Sequence, residues 1–277
     1  MNTASQKTWF ITGASRGLGR VWAEAALNRG DRVVATARDT SSMSTLAGEF
    51  GDQLLLLVLD VRQRAAVQAA IDAASAHFGQ LDVVINNAGY GLFGMVEEVS
   101  EDQARDQFET NFFGALWVTQ AVIPYMRAQS GGHIIQISSI GGVTAFPMFG
   151  IYNASKWALE GMSQALHDEV RSFGIKVTLV EPTAFATDWA HSSAVHATPN
   201  AQYSEARREV ARMWGSQALG KPEASATALL ELVDACDPPL RVFFGDLLPL
   251  VQAEYSRRLG EWKNWEQLAC SAMGGQG

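Results

Sequence analysis

The chain has 277 residues, 47% of them hydrophobic and 18% charged, with 25 Gly and 8 Pro; this ordinary globular composition excludes a disordered, collagen-like or coiled-coil chain. Its 21 Lys and Arg stand against 29 Asp and Glu, a net charge of −8. That balance argues against a nucleic-acid or anionic-membrane binder, which needs clustered cations. The longest apolar run, Leu54 to Leu59, is far short of the ~20 residues of a membrane span. The polar start, Met1 to Lys7, reads as no secretory signal, and two cysteines, Cys236 and Cys270, make no disulfide framework. A soluble cytoplasmic protein is the expectation.

In chain order, apolar runs predict strands at 9–11, 32–35, 54–59, 81–85, 133–137, 176–180 and 241–244, with helices at about 18–29, 63–77, 101–128, 152–173 and 222–236. The strands show little polar alternation, as strands buried on both faces should. Ser100 before Glu101 and Asp102 suits a helix start, and Gly174 suits a helix end. Repeated strand–helix–strand spacing predicts an α/β fold: a doubly wound, mostly parallel sheet of about seven strands with helices on both faces. One domain covers 1–277. The polar stretch 189–215, with Trp189, His191, His196, Pro199 and Tyr203, interrupts this rhythm. It reads as a substrate lid, with a mobile surface insert as the other reading. Residues 246–268, within a helical extension running to 277, carry Leu247, Leu250, Val251, Leu259, Trp262 and Trp265 and read as a packing or oligomer helix.

Two motifs point to a nucleotide. Thr12-Gly13-Ala14-Ser15-Arg16-Gly17-Leu18-Gly19 follows the first strand and opens the first helix. Glycines there permit a tight turn and close approach to a pyrophosphate, and helix N–H groups face the anion. With Asn86-Asn87-Ala88-Gly89 after the fourth strand, this spacing resembles the short-chain dehydrogenase/reductase family, whose fold is a Rossmann sheet. The pair Tyr152 and Lys156, in Tyr-Asn-Ala-Ser-Lys, and Ser139 extend the resemblance. An i, i+4 spacing puts phenol and ammonium on one helix face, where the ammonium is expected to lower the phenol's pKa and fit it for general acid catalysis. Ser139 ends the fifth strand, at the sheet edge where ligands bind. Ser138 is the competing hydroxyl; the family's spacing to the tyrosine favours Ser139, and strand alternation turns the two apart.

The resemblance implies further roles. Asn111 matches the family's fourth catalytic position, which holds a water linking the lysine to solvent. Gly13, Ser15, Arg16, Gly17, Leu18, Gly19, Asn87, Ala88 and Gly89, together with Tyr152, Lys156, Pro182, Phe185 and Thr187, are implied as the dinucleotide's contacts. Asp60 and Val61 resemble the adenine pocket. NAD-specific members usually end the second strand with an acid; here Ala37 stands there, followed by Arg38. Arg38 and Arg16 can pair with a 2′-phosphate, so NADP is the expected cofactor. Thr183 departs from the family's usual glycine beside the nicotinamide, putting the conformation of that loop in question. Tyr90, Phe93, Ile140, Phe146, Phe149 and Trp189 are the expected substrate pocket, apolar enough for a hydrophobic ketone or aldehyde. No residues show metal-ligand spacing.

The resulting expectation is an NADPH-dependent carbonyl reductase, reversibly a secondary-alcohol dehydrogenase, with a small-molecule substrate. The alternatives are a 3-oxoacyl reductase of fatty-acid synthesis, for which Arg207, Arg208 and Arg212 could meet an acidic carrier, and a non-catalytic NADP-binding sensor. The family's habit of pairing its two long helices implies a homodimer or homotetramer.

Overall fold

The apolar runs form strands β1 (Thr8–Thr12), β2 (Arg32–Ala37), β3 (Leu54–Val58), β4 (Val83–Asn86), β5 (Gly132–Ile137), β6 (Ile175–Pro182) and β7 (Arg241–Phe244). In the computed structural model, which describes residues 6–190, 193–215 and 218–274, they pair in parallel in the order β3-β2-β1-β4-β5-β6-β7. His191 of the interrupting stretch, most of the polar start and the last three residues lie outside the described residues.

Alternation along the strands builds two cores. Trp9, Ile11, Val33, Ala35, Val83 and Ile85 pack on one face beneath α1 (Gly17–Asn28) and α8 (Pro222–Asp234). Phe10, Val34, Val84, Ile134 and Val177 pack on the other face beneath α3 (Arg64–Phe78), α5 (Gly114–Ala128) and α6 (Gly150–Val170). A short α2 (Ser44–Phe50) precedes β3. The chain leaves β1 toward β2 on one side, and β4 lies on its other side, so a crevice opens at the carboxyl ends of β1 and β4, the switch point of such sheets.

The helix expected over 101–128 is α4 (Glu101–Phe108), a π-helical turn Glu109–Phe113, and α5. Ser100 caps α4, its hydroxyl accepting from Gln103 N at 3.2 Å. The stretch 189–215 is more regular than its polarity suggests. Val195–His196 pairs in parallel with Leu92–Phe93, and α7 (Ser204–Trp214) follows. Asn200 N donates to Glu98 Oε1 at 2.7 Å, and Arg207 forms an ion pair with Glu98. After β7 come α9 (Leu248–Asn264) and α10 (Glu266–Ala272). The first three turns of α9 make the contacts: Val251 meets Ile140 and Val143, and Arg258 stacks 4.4 Å over Trp157. Leu259, Trp262, Trp265 and Leu268 are 61–69% exposed. Among the described residues no helix is long and apolar enough to cross a membrane.

Candidate active site

At the crevice, the two glycine-bearing motifs brace each other. Thr12 Oγ1 accepts from the backbone N–H of Asn87 and of Ala88, both at 3.0 Å. Asn87 Nδ2 donates back to the carbonyls of Thr12 and Gly13 at 2.9 and 3.1 Å. That amide fills the space where a side chain at residue 19 would stand: a Cβ on Gly19 would lie 2.4 Å from Asn87 Nδ2. The turn delivers the N-terminus of α1, with its free N–H groups, into a cleft of about 750 Å³.

Tyr152 and Lys156 project from α6 across the ends of β4 and β5, both nearly buried. Lys156 Nζ donates to the Ile137 carbonyl at 2.7 Å and lies 6.0 Å from the Tyr152 ring centroid. Ser139 Oγ accepts from Gly141 N at 3.0 Å and stands beside the phenol. Burial pushes Tyr152 up to about 12, partly offset by the Ser139 hydroxyl, and pulls Lys156 down to about 8, opposed by the Glu160 carboxylate. The expected lowering of the tyrosine is therefore not what the protein alone produces: desolvation outweighs the hydrogen bond from Ser139. Asn111 sits in the π-helical turn, where the extra residue re-aims the helix face. Its side chain accepts from Tyr90 N and donates to Tyr90 O, both at 3.1 Å, and donates to Ser155 Oγ at 3.3 Å.

Aromatic rings wall the cleft beyond Tyr152. Trp189 meets Tyr152 edge-on at 5.2 Å between centroids, and Phe93 lies 4.7 Å from Phe149 and 5.6 Å from Trp189. Trp214 of α7 closes on Phe146 at 4.8 Å and on Phe149 at 6.2 Å.

A family model described as short chain dehydrogenase matches residues 7–197. The chain belongs to the short-chain dehydrogenase family. It is 42% identical over 243 residues to an oxidoreductase of Botryotinia fuckeliana, covering 86% of this chain and 89% of that one. A crystal structure of a short-chain dehydrogenase from Streptomyces avermitilis superposes with a TM-score of 0.91 at 36% identity, covering 98% and 99% of the two chains. A short chain dehydrogenase/reductase from Burkholderia phymatum in complex with NAD is similar at a TM-score of 0.81 and 26% identity, covering 94% and 97%. The chain is thus an oxidoreductase of the nicotinamide-dependent, CH–OH/C=O kind.

In this short-chain dehydrogenase the cleft wall gathers Gly13, Ser15, Arg16, Gly17, Leu18, Arg38, Asp60, Val61, Asn87, Ala88 and Gly89 from β1 to β4, and Tyr90 and Phe93 just after. Ser139, Ile140, Phe146, Phe149, Tyr152, Lys156, Pro182, Phe185, Thr187 and Trp189 stand on the same wall. Two expected residues lie off the wall: Gly19 is behind the turn, and Asn111 is behind Gly89, where a Cβ would sit 3.1 Å from its Oδ1. Asp60 reaches the cleft, but Arg62 Nε donates to both its oxygens at 3.0 Å and holds its carboxyl below the usual range. Sequence reading missed Arg62, Val195, Trp214 and Leu219 on the wall. Trp214 carried a signal, since Ala206, Val210 and Trp214 recur at helical spacing within a polar run. Thr183, the departure from the family, turns to β7: its Oγ1 donates to the Phe244 carbonyl at 3.3 Å. Gly245, at φ +142°, makes room for it, as a Cβ there would lie 2.1 Å from that hydroxyl.

Proposed function

We propose that this short-chain dehydrogenase is an NADPH-dependent carbonyl reductase, in reverse a secondary-alcohol dehydrogenase, acting on hydrophobic ketones or aldehydes. One observation carries the reading: the phenol of Tyr152 and the hydroxyl of Ser139 meet at the sheet's carboxyl edge beneath a wall of Phe93, Phe149, Trp189 and Trp214. Among the described residues, the cations on the cleft wall are Arg16, Arg38 and Arg62 near the ends of β1, β2 and β3, and the buried Lys156. Among the described residues, the aromatic end therefore offers an anionic substrate no cationic partner, which favours an uncharged one.

The residues fit a dinucleotide. Gly13 and Gly17 adopt positive φ at the turn into α1, whose N–H groups suit a pyrophosphate. Ala37 closes β2 without a carboxylate, and Arg38 and Arg16 share the wall beside it, suited to a 2′-phosphate. Lys156, Pro182, Phe185 and Thr187 would hold the nicotinamide end. The bound nicotinamide supplies the hydride in reduction and accepts it in oxidation.

The chain's own groups handle the proton. Tyr152, a phenol at neutral pH and kept so by burial, which raises it to about 12, gives its proton to the carbonyl oxygen, and Ser139 donates a hydrogen bond to that oxygen. Lys156, held on the Ile137 carbonyl, keeps a positive charge beside the phenolate that forms. Asn111, fixed by its two bonds to Tyr90, orders the proton's replacement route behind Gly89. The segment 189–215 acts as a lid, because Trp189 and Trp214 both come from it. Assembly into a homodimer or homotetramer through α4–α5 and α6 completes the proposal.

NADPH consumption over a panel of ketones tests the function. Turnover of uncharged aromatic or long aliphatic ketones, well above that of keto acids and 3-oxoacyl thioesters, is the expected result. Preference for the acyl thioesters, or no turnover of any carbonyl, overturns it.

A further inference from the structure

One helical turn beyond Lys156 on α6, the Glu160 side chain is 7% exposed. Across from it, at the end of β6, Glu181 is 1% exposed. Both carboxyl groups converge on Arg241 of β7, whose Nε is 2.9 Å from Glu160 Oε2 and 3.7 Å from Glu181 Oε1, so one guanidinium brings the two acids side by side. Oε1 of each carboxyl is buried and accepts no hydrogen bond. Ser138 turns its buried hydroxyl toward Glu160 outside hydrogen-bond geometry. A Cβ on Gly142 would meet Ser138 Oγ, Glu160 Cγ and Lys156 Cβ at 2.4, 3.2 and 3.3 Å, so these three side chains surround one point behind the active site. Two adjacent ionised carboxylates, nearly dry and with one shared guanidinium, are unstable; a shared proton removes the repulsion and gives the empty acceptors a donor.

We propose that Glu160 and Glu181 hold one proton between them and so present a single negative charge behind Lys156, making the pair a positioning unit that keeps this lysine an ammonium. The inference rests on the reading of Tyr152 and Lys156 given above. The proton belongs on Glu181, which burial pushes up to about 8. Glu160 is also raised by burial, but Ser138, Arg241 and Lys156 draw it back. Among the described residues, the charged or titratable groups facing the unit are Lys156 and, beyond it, Tyr152 on α6, and Arg241 on β7; on the β5 side stand the Ile137 carbonyl, which holds Lys156, and the Ser138 hydroxyl.

The test is the pH profile of kcat/KM for reduction, read with thermal melts of the full chain. Glu160→Gln removes the charge, so the high-pH limb moves down by about one unit or more, and Glu160→Asp restores most of it. Glu181→Gln mimics the protonated acid and leaves the limb in place. Melts read the proton without substrate. A carboxyl raised in the folded state keeps a proton that the unfolded chain releases, so stability falls as pH rises from 4.5 to about 8. Glu181→Gln flattens that fall. An unmoved limb in Glu160→Gln, or an unchanged slope in Glu181→Gln, overturns the proposal. If Glu160→Gln does not fold, the Glu181→Gln melts decide it. Full activity in Tyr152→Phe would defeat the catalytic reading, while the melts would still report the shared proton.

Discussion

Tyr152 and Lys156 are shifted in opposite directions by the same cause, since burial disfavours the phenolate of one and the ammonium of the other. At neutral pH both keep their protons, the state that reduction requires. Reduction should therefore slow as pH rises through about 8, where Lys156 loses its charge, and a kcat/KM profile for the wild type checks this. If, as proposed, the Lys156 ammonium serves both the phenol and the bound nucleotide, Lys156→Met should weaken turnover and nucleotide affinity together; fluorescence titration with NADPH separates the two effects. Arg16 and Arg38 face no ion-pair partner among the described residues, whereas Arg62 is taken by Asp60. A hydrogen bond to a charged group contributes about 1.5–3 kcal/mol, so Arg38→Ala or Arg16→Ala should cost roughly 10- to 100-fold in NADPH affinity and leave NADH almost unchanged. Equal losses for both nucleotides would remove the 2′-phosphate from the account.

At the scale of elements, the main strands and most helices were legible because each carries its own local signal: unbroken apolar runs for β1 to β7 and helical spacing between them. The glycine-rich turn, the Asn-Asn-Ala-Gly motif and the Tyr-x-x-x-Lys pair were legible for the same reason. The pairing of Leu92–Phe93 with Val195–His196 was not, because two residues carry no periodicity and their partner lies a hundred positions away. The π-helical turn at Glu109–Phe113 has no compositional mark either; it is set by packing. The segment 189–215 contains both that short strand and α7, and it hangs on the Glu98 contacts. If it closes over substrate, its amides should exchange faster in the free enzyme and become protected when NADP and a ketone bind. Equal exchange in both states would make it a surface insert.

Across the whole molecule, the buried ionisable groups were the least legible feature, since nothing local in Leu-Glu-Gly or Val-Glu-Pro says that Glu160 and Glu181 meet. His133 is a second example: buried at the start of β5, it bonds Thr178 Oγ1 at 2.9 Å and is pulled down to about 3 by desolvation. The unfolded chain takes up a proton there near 6.5 and the folded chain does not. Stability from this site is therefore present above 6.5 and lost progressively as pH falls toward 3. Thermal melts between these pH values should show a shallower loss in His133→Gln than in the wild type. Both glutamates and the histidine were written in the sequence as ordinary polar letters; only the sheet, bringing β6 against β5 and β7, gives them their chemistry. The proposed reduction depends on Tyr152 giving a proton to a ketone reduced by NADPH. The most direct measurement is the rate of NADPH consumption with one hydrophobic ketone by the wild type and by Tyr152→Phe. A wild type that turns over, with a variant slower by about 10²- to 10⁴-fold at nearly unchanged NADPH affinity, is the predicted result; a variant keeping half the wild-type rate would contradict it.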